Sequence, residues 1–154
     1  MATIYRQASM ADLDFLVQSR LDFVGAEVTG PDYELILKST RHYFETALRE
    51  NQCDVILAEK NDAVIGTGVI FYYASVPSVY NPWGKNAYIT SMFVAENHRR
   101  KGIATAILDK LVDIARQKGY YRIFLQASDM GKPLYENYGF TEGMANMLLN
   151  LEEE

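Results

Sequence analysis

The sequence predicts a mixed α/β fold built on one central sheet with helices against it. Apolar residues recur at helical spacing in three segments, strand-like runs separate those segments, and a strand–helix–strand order near the middle reads as a parallel βαβ unit. The chain has 154 residues, a one-domain length, so a single domain over 1–154 is expected. An apolar share of 49 % is enough to close a core, and with 23 % charged residues it argues against intrinsic disorder.

Thr3 to Arg6 reads as a first strand. Ser9 is placed to cap a helix whose first turn carries Asp12, and Leu13, Leu16, Val17, Leu21 and Val24 extend it to about Glu27. Gly30-Pro31 breaks the chain and restarts it as a second helix to about Glu50, burying Leu35, Ile36, Tyr43, Ala47 and Leu48. Strands over Asp54–Glu59 and Ala63–Tyr73 flank Asn61-Asp62, a hairpin signal. Pro77, Pro82 and Gly84 mark Ala74 to Asn86 as a loop before a strand at Tyr88–Val94. Ile103, Ile107, Leu108, Leu111 and Ile114 define a helix from about Gly102 to Lys118, with Gly119 as its stop. A strand at Tyr121–Ala127, a short helix from Asp129 to Asn137, and strands at Phe140 and over Met144–Leu151 complete the order.

One cysteine, Cys53, leaves no internal disulfide, and no Cys/His cluster signals structural zinc. Met1 to Ser9 lacks the apolar run of a secretory signal, and no segment has the length of a membrane span. The expected location is cytoplasmic, with no membrane partner. A net charge of −5 argues against nonspecific nucleic-acid binding, which depends on neutralising phosphates. The charge is unevenly spread. Residues 1–60 hold six basic and ten acidic groups, whereas residues 85–122 hold eight basic and three acidic ones. A small polyanion is therefore expected on the basic stretch.

The informative segment runs Val94-Ala95-Glu96-Asn97-His98-Arg99-Arg100-Lys101-Gly102-Ile103-Ala104-Thr105. A strand ends, a basic turn follows, and a helix opens at glycine. The free N–H groups and positive dipole end of a helix N-terminus attract anions. Gly102 and Ala104 let a phosphate approach the backbone, and Arg99, Arg100 and Lys101 add charge. Neither G-x-x-x-x-G-K-[ST] nor G-x-G-x-x-G occurs.

This segment resembles the pyrophosphate loop [RQ]-x-x-G-x-[GA] of the GCN5-related N-acetyltransferase (GNAT) family, met by Arg99, Gly102 and Ala104. The piece Tyr135-Glu136-Asn137-Tyr138-Gly139-Phe140 fits the family's Y-x-x-x-G-F, and the two motifs stand in the family's order and spacing. The resemblance is strong over Tyr88–Phe140 and weaker over nearly the whole chain. It implies a fold in which a parallel strand pair splays apart, with acetyl-CoA as donor and no metal. The pantetheine arm would lie along the backbone of Met92, Phe93 and Val94, and the pyrophosphate on the amides of Arg100, Lys101, Gly102, Ile103, Ala104 and Thr105. Tyr135 matches the tyrosine that meets the coenzyme sulfur and is expected to donate a hydrogen bond to the departing thiolate; Tyr138 is assigned to packing.

An alkylammonium near pKa 10.4 is neutral in only about one part in 10³ at pH 7, so a proton must leave before attack. Some relatives use a glutamate on the fifth strand. Here Gln126 stands in that neighbourhood and is not a base. Glu27, Asp129 or a water chain could substitute, and no base is assigned. His42, His98 and Cys53 are expected to be non-catalytic, and Asp129 is expected mainly as a helix cap. The family's acceptor pocket implicates Phe15, Phe23, Tyr33, Tyr80 and Trp83. The acidic N-terminal half favours a cationic amine.

The expected function is acetyl transfer to a primary amine of a small-molecule or peptide acceptor, by direct attack in a ternary complex. A noncatalytic acyl-CoA-binding module is the alternative, followed by an interaction domain using the basic stretch. Acceptor identity and the choice between monomer and homodimer stay open.

Overall fold

A computed structural model describes residues 1–143 and 146–152. Its spine is the hairpin of β2 (Cys53–Lys60) and β3 (Ala63–Ala74). Asn61 and Asp62 both take left-handed φ, 52° and 62°, as a two-residue turn requires to match strand twist. β1 (Ile4–Gln7) pairs antiparallel with β2, and β4 (Lys85–Val94) pairs antiparallel with β3. β5 (Ile123–Leu125) then pairs parallel with β4, giving the order β1-β2-β3-β4-β5. The parallel step is possible because α3 (Ile103–Gln117) carries the chain back across the sheet.

Helices α1 (Leu13–Phe23) and α2 (Tyr33–Arg49) pack on one face of the sheet, and α3 packs on the other. β2 is buried on both sides, which explains its unbroken apolar run. Val55 and Leu57 join Leu16, Val17, Leu21 and Phe44 on the α1/α2 face. Ile56 and Ala58 join Ile107, Leu108 and Leu111 on the α3 face. Gly68 lets α3 approach: a Cβ there would lie 2.6 Å from Ile107 Cγ2 and from Met92 Sδ. A short helix, α4 (Lys132–Tyr138), is tied to α3 by the Tyr138 hydroxyl, which donates to Asp109 Oδ1 at 2.7 Å.

The expected element order is present, with corrections at the ends. α1 stops at Phe23 rather than near Glu27, because Gly25 turns the chain with φ 71°. Ser9 caps the preceding turn as expected, accepting from Ala11 N–H while Asp12 reaches back to Ser9 N–H. On α2 the buried residues are Phe44 and Ala47, whereas Leu35 and Tyr43 are exposed; apolar spacing alone did not fix which stripe faces the sheet. β4 starts at Lys85 rather than Tyr88, and β5 is shorter than Tyr121–Ala127. α4 begins at Lys132 without the side-chain cap expected of Asp129; Ser128 Oγ instead accepts from Gly131 N–H at 3.1 Å in the turn before it. Phe140 is not a strand residue but packs edge-on against Tyr135. Residues 146–151 are likewise not in a strand: a three-residue β5 gives a further strand little edge to pair with. Met144 and Ala145, the start of that expected strand, lie outside the described residues. Among the described residues no helix is long and apolar enough to cross a membrane.

Candidate active site

The two halves of β4 differ. Ala87, Tyr88 and Ile89 pair with Ile123, Phe124 and Leu125, but from Thr90 to Val94 the side away from β3 has no strand partner among the described residues. This is the splay expected of the parallel pair. At its start the β3–β4 register slips between Thr67 and Val69, and Ser91 takes φ 54°. The irregularity is held by Thr67 Oγ1, which donates to Ser91 O at 3.1 Å. An unpaired strand edge offers donors and acceptors to a ligand's amides.

The open edge runs into the basic turn. Arg99 Nε donates to Val94 O at 2.8 Å, so this side chain clamps the turn to the strand end. Arg100 and Gly102 then adopt left-handed φ, 61° and 82°. Successive N–H groups in such a turn converge as an anion-binding concavity. Among the described residues, the N–H groups of Arg100, Lys101, Gly102, Ile103, Ala104 and Thr105 make no backbone hydrogen bond; the first helical bond is Ala106 N–H to Gly102 O. A Cβ at Gly102 would meet nothing within 4 Å, so the space above the turn is open. The turn fits a phosphate group by shape, donor supply and charge.

Met92, Val94, Ile103 and Tyr135 share the apolar cluster on the α3 face. Phe93 points to the opposite face, where it lines a cleft of about 400 Å³ with Phe15, Ser19, Asp22 and Phe23 of α1 and Thr67 of β3. Tyr135 is buried, and burial raises its pKa above the ordinary tyrosine value. It therefore stays protonated at neutral pH, able to donate a hydrogen bond but reluctant to lose its proton. Burial, and then the hydrogen bond to Asp109, push Tyr138 up to about 12, consistent with a structural role.

The expected acceptor aromatics divide. Phe15 and Phe23 line the cleft beside Phe93, and Tyr33 packs on the α1/α2 core. Tyr80 and Trp83 stand at the other end of β4, in a pocket of about 280 Å³ with Lys85, Tyr121 and Arg122. Gln126, Glu27 and Asp129 are all exposed. His42 is exposed, while His98 Nδ1 is buried without a hydrogen-bond partner. Burial drives the Cys53 thiol up to about 12, which keeps it out of its nucleophilic form. The described residues contain no cluster of metal-ligating side chains.

One residue beside the splay, Arg20, is not among those expected from the sequence. Arg20 lies within the apolar stripe of α1, between Leu16, Val17, Leu21 and Val24, and a charge in such a stripe is the signal that could have found it. Its Nη1 donates to Thr90 Oγ1 and to Ser91 Oγ, each at 3.0 Å.

A model of the acetyltransferase (GNAT) family matches residues 19–140, spanning both the splay and the turn. The chain belongs to the GNAT family. Mouse thialysine N-epsilon-acetyltransferase is 30 % identical over 78 residues, 50 % of this chain and 42 % of the relative. Glucosamine 6-phosphate N-acetyltransferase of Trypanosoma brucei brucei is 33 % identical over 64 residues, 42 % of this chain and 44 % of the relative. The match thus spans less than half the length of either curated relative. Solved GNAT-like structures extend the likeness across the chain. A predicted acetyltransferase with acetyl-CoA from Clostridium acetobutylicum superposes with a TM-score of 0.87 at 33 % identity, covering 97 % of this chain and 96 % of that one. A GCN5-related N-acetyltransferase from Ralstonia eutropha JMP134 superposes with a TM-score of 0.84, covering 97 % and 99 %; at 20 % identity it bears on the fold alone.

Proposed function

We propose that this chain is one catalytic domain over residues 1–154, which transfers the acetyl group of acetyl-CoA to a primary amine by direct attack in a ternary complex. The observation that carries the reading is continuity: the unpaired edge Thr90–Val94 leads without a break to the free N–H groups of Arg100–Thr105. A pantetheine arm needs the first and a pyrophosphate the second. The acetyl-CoA named with the Clostridium acetobutylicum structure supports the same donor.

Five strand residues span about 16 Å, so an arm anchored at the turn brings its thioester close to Thr90 and Ser91. There the ammonium first yields a proton to solvent, the freed nitrogen lone pair bonds to the carbonyl carbon, the carbon–sulfur bond breaks, and the second proton that the nitrogen sheds balances the one the thiolate takes up. Tyr135 donates a hydrogen bond to the departing sulfur. Protonation of a thiolate near 8.5 by a tyrosine near 10 is already uphill by about 2 kcal/mol, and burial of Tyr135 steepens it. Tyr135 therefore acts as a donor that releases its proton late. Met92, Phe93 and Val94 contribute backbone, and Arg100 and Lys101 contribute charge. The exposed positions of Glu27, Gln126 and Asp129 favour water as the proton's first acceptor. The setting is cytoplasmic, with monomer and homodimer both compatible.

Calorimetry with CoA, followed by thiol release from acetyl-CoA across a panel of amines, tests the proposal. Micromolar affinity and amine-dependent release are expected. Absence of binding at high micromolar protein would sink it, and binding with no release on any amine would favour an acyl-CoA-binding module instead.

A further inference from the structure

We infer that Arg20 selects acceptors carrying a carboxylate next to the reacting amine, as an α-amino acid does. The inference rests on the proposed acetyl transfer and names the acceptor's chemistry.

Arg20 is a half-buried cation among the apolar residues of α1, and among the described residues it forms no salt bridge. Neither carboxylate of its own helix pairs with it. Asp14 pairs with Arg41 at 2.9 Å, and Asp22 accepts from Gln18 Nε2 at 3.0 Å. What Arg20 touches is neutral: two hydroxyls through Nη1, and the ring of Phe23 at 5.7 Å. Nε and Nη2 have no acceptor among the described residues. A buried charge without a counterion is costly, and burial already pushes this guanidinium below its ordinary pKa. Thr90 and Ser91 accept from Arg20, so their own O–H groups remain free to donate. The half-buried guanidinium and the hydroxyls of half-buried Thr90 and buried Ser91 together form a cluster of donors, the complement of a carboxylate.

Its position sets the distance to the chemistry. Thr90 and Ser91 mark the point where β4 parts from β5, which is where the thioester would end. An anion held there lies within a few bonds of the attacking nitrogen. The adjoining cleft is lined by Phe15, Phe23 and Phe93 together with Ser19, Asp22 and Thr67, and its three rings suit an apolar side chain on the acceptor.

The test compares acetylation of phenylalanine with that of phenethylamine, its counterpart without the carboxylate, in the intact chain and in Arg20→Gln and Arg20→Lys. A charge-assisted hydrogen bond implies at least about a tenfold preference in kcat/KM for phenylalanine. Arg20→Gln should collapse that ratio toward one, and Arg20→Lys should keep part of it. Calorimetry of N-acetylphenylalanine against its neutral amide should give the same ordering without turnover. Equal kcat/KM for the two amines would overturn the inference, as would an unchanged ratio in Arg20→Gln or equal binding of the two products. If Arg20→Gln fails to fold, the intact chain and Arg20→Lys decide the same question. Loss of CoA binding by the intact chain would instead condemn the acetyl-transfer reading itself.

Discussion

The proposed donor side and the proposed acceptor side of this site are made of different material. Toward the donor, the binding groups are backbone: an unpaired strand edge and a run of free N–H groups, with glycine keeping the approach open. Toward the acceptor, they are side chains gathered from distant segments, Phe15, Arg20 and Phe23 from α1 and Phe93 from β4. Backbone recognition serves one invariant ligand and depends on local conformation. Side-chain recognition can change with each substitution while the frame stays. Substitutions on the two sides should therefore separate donor affinity from acceptor choice.

The largest effect is expected at Gly102. Glutamate there would place a bulky negative charge in the open space above the N–H cradle, so CoA affinity in Gly102→Glu should fall by at least about a hundredfold. Because φ is 82°, any side chain adds strain, and Gly102→Asn provides the control, since asparagine tolerates this conformation. Asparagine should fold and retain far more affinity than glutamate. Equal affinity of Gly102→Glu and the intact protein would remove the cradle from the donor site.

Tyr135→Phe should act on rate instead of donor binding. Turnover should drop by about ten- to a hundredfold while CoA affinity changes less than about twofold. Since burial raises the Tyr135 pKa, the tyrosine stays protonated through neutral and mildly alkaline pH. It should contribute no falling limb to the pH–rate profile below about pH 10. Unchanged turnover in the variant would reduce Tyr135 to a packing residue beside Phe140.

The same division explains what could be read from the chain. The donor side was legible because its parts lie close in sequence: strand end, basic turn and helix start occupy Val94 to Thr105. The hairpin turn at Asn61-Asp62 and the Ser9 cap were legible for the same reason, since short-range stereochemistry determines them. The acceptor side was not. Phe15 and Trp83 looked equivalent as aromatics, yet α1 sets Phe15 beside Phe93 near the end of β4, whereas Trp83 stands just before its start. Arg20 acquired meaning only when the slip at Ser91 brought its hydroxyl partners under α1, a contact across about seventy residues. The final strands failed on similar grounds, because pairing depends on an edge that β5 is too short to offer.

The smallest effect should come from a position on neither side. Arg6 joins β1 to the turn before α1, donating to both carboxylate oxygens of Asp12 at 2.9 Å, and it also meets Glu59 at 2.9 Å. The Arg6 bond holds the Asp12 carboxyl below the usual carboxylate range, helped by Ser9 N–H and opposed by burial. A depressed folded-state pKa means that the unfolded chain takes up the proton first as pH falls. The stabilisation is therefore complete above the unfolded value of about 3.9 and is lost as pH drops through the lower folded one. Arg6 is partly exposed, so solvent screening limits the contribution to about 1 kcal/mol. Asp12→Asn should then lower the melting temperature by about 2–4 °C at neutral pH, and the difference should shrink in strong acid. CoA affinity and acceptor selectivity should both stay put. A shift in either would mean that the β1–α1 junction positions Arg20, making the acceptor side less local than its contacts imply.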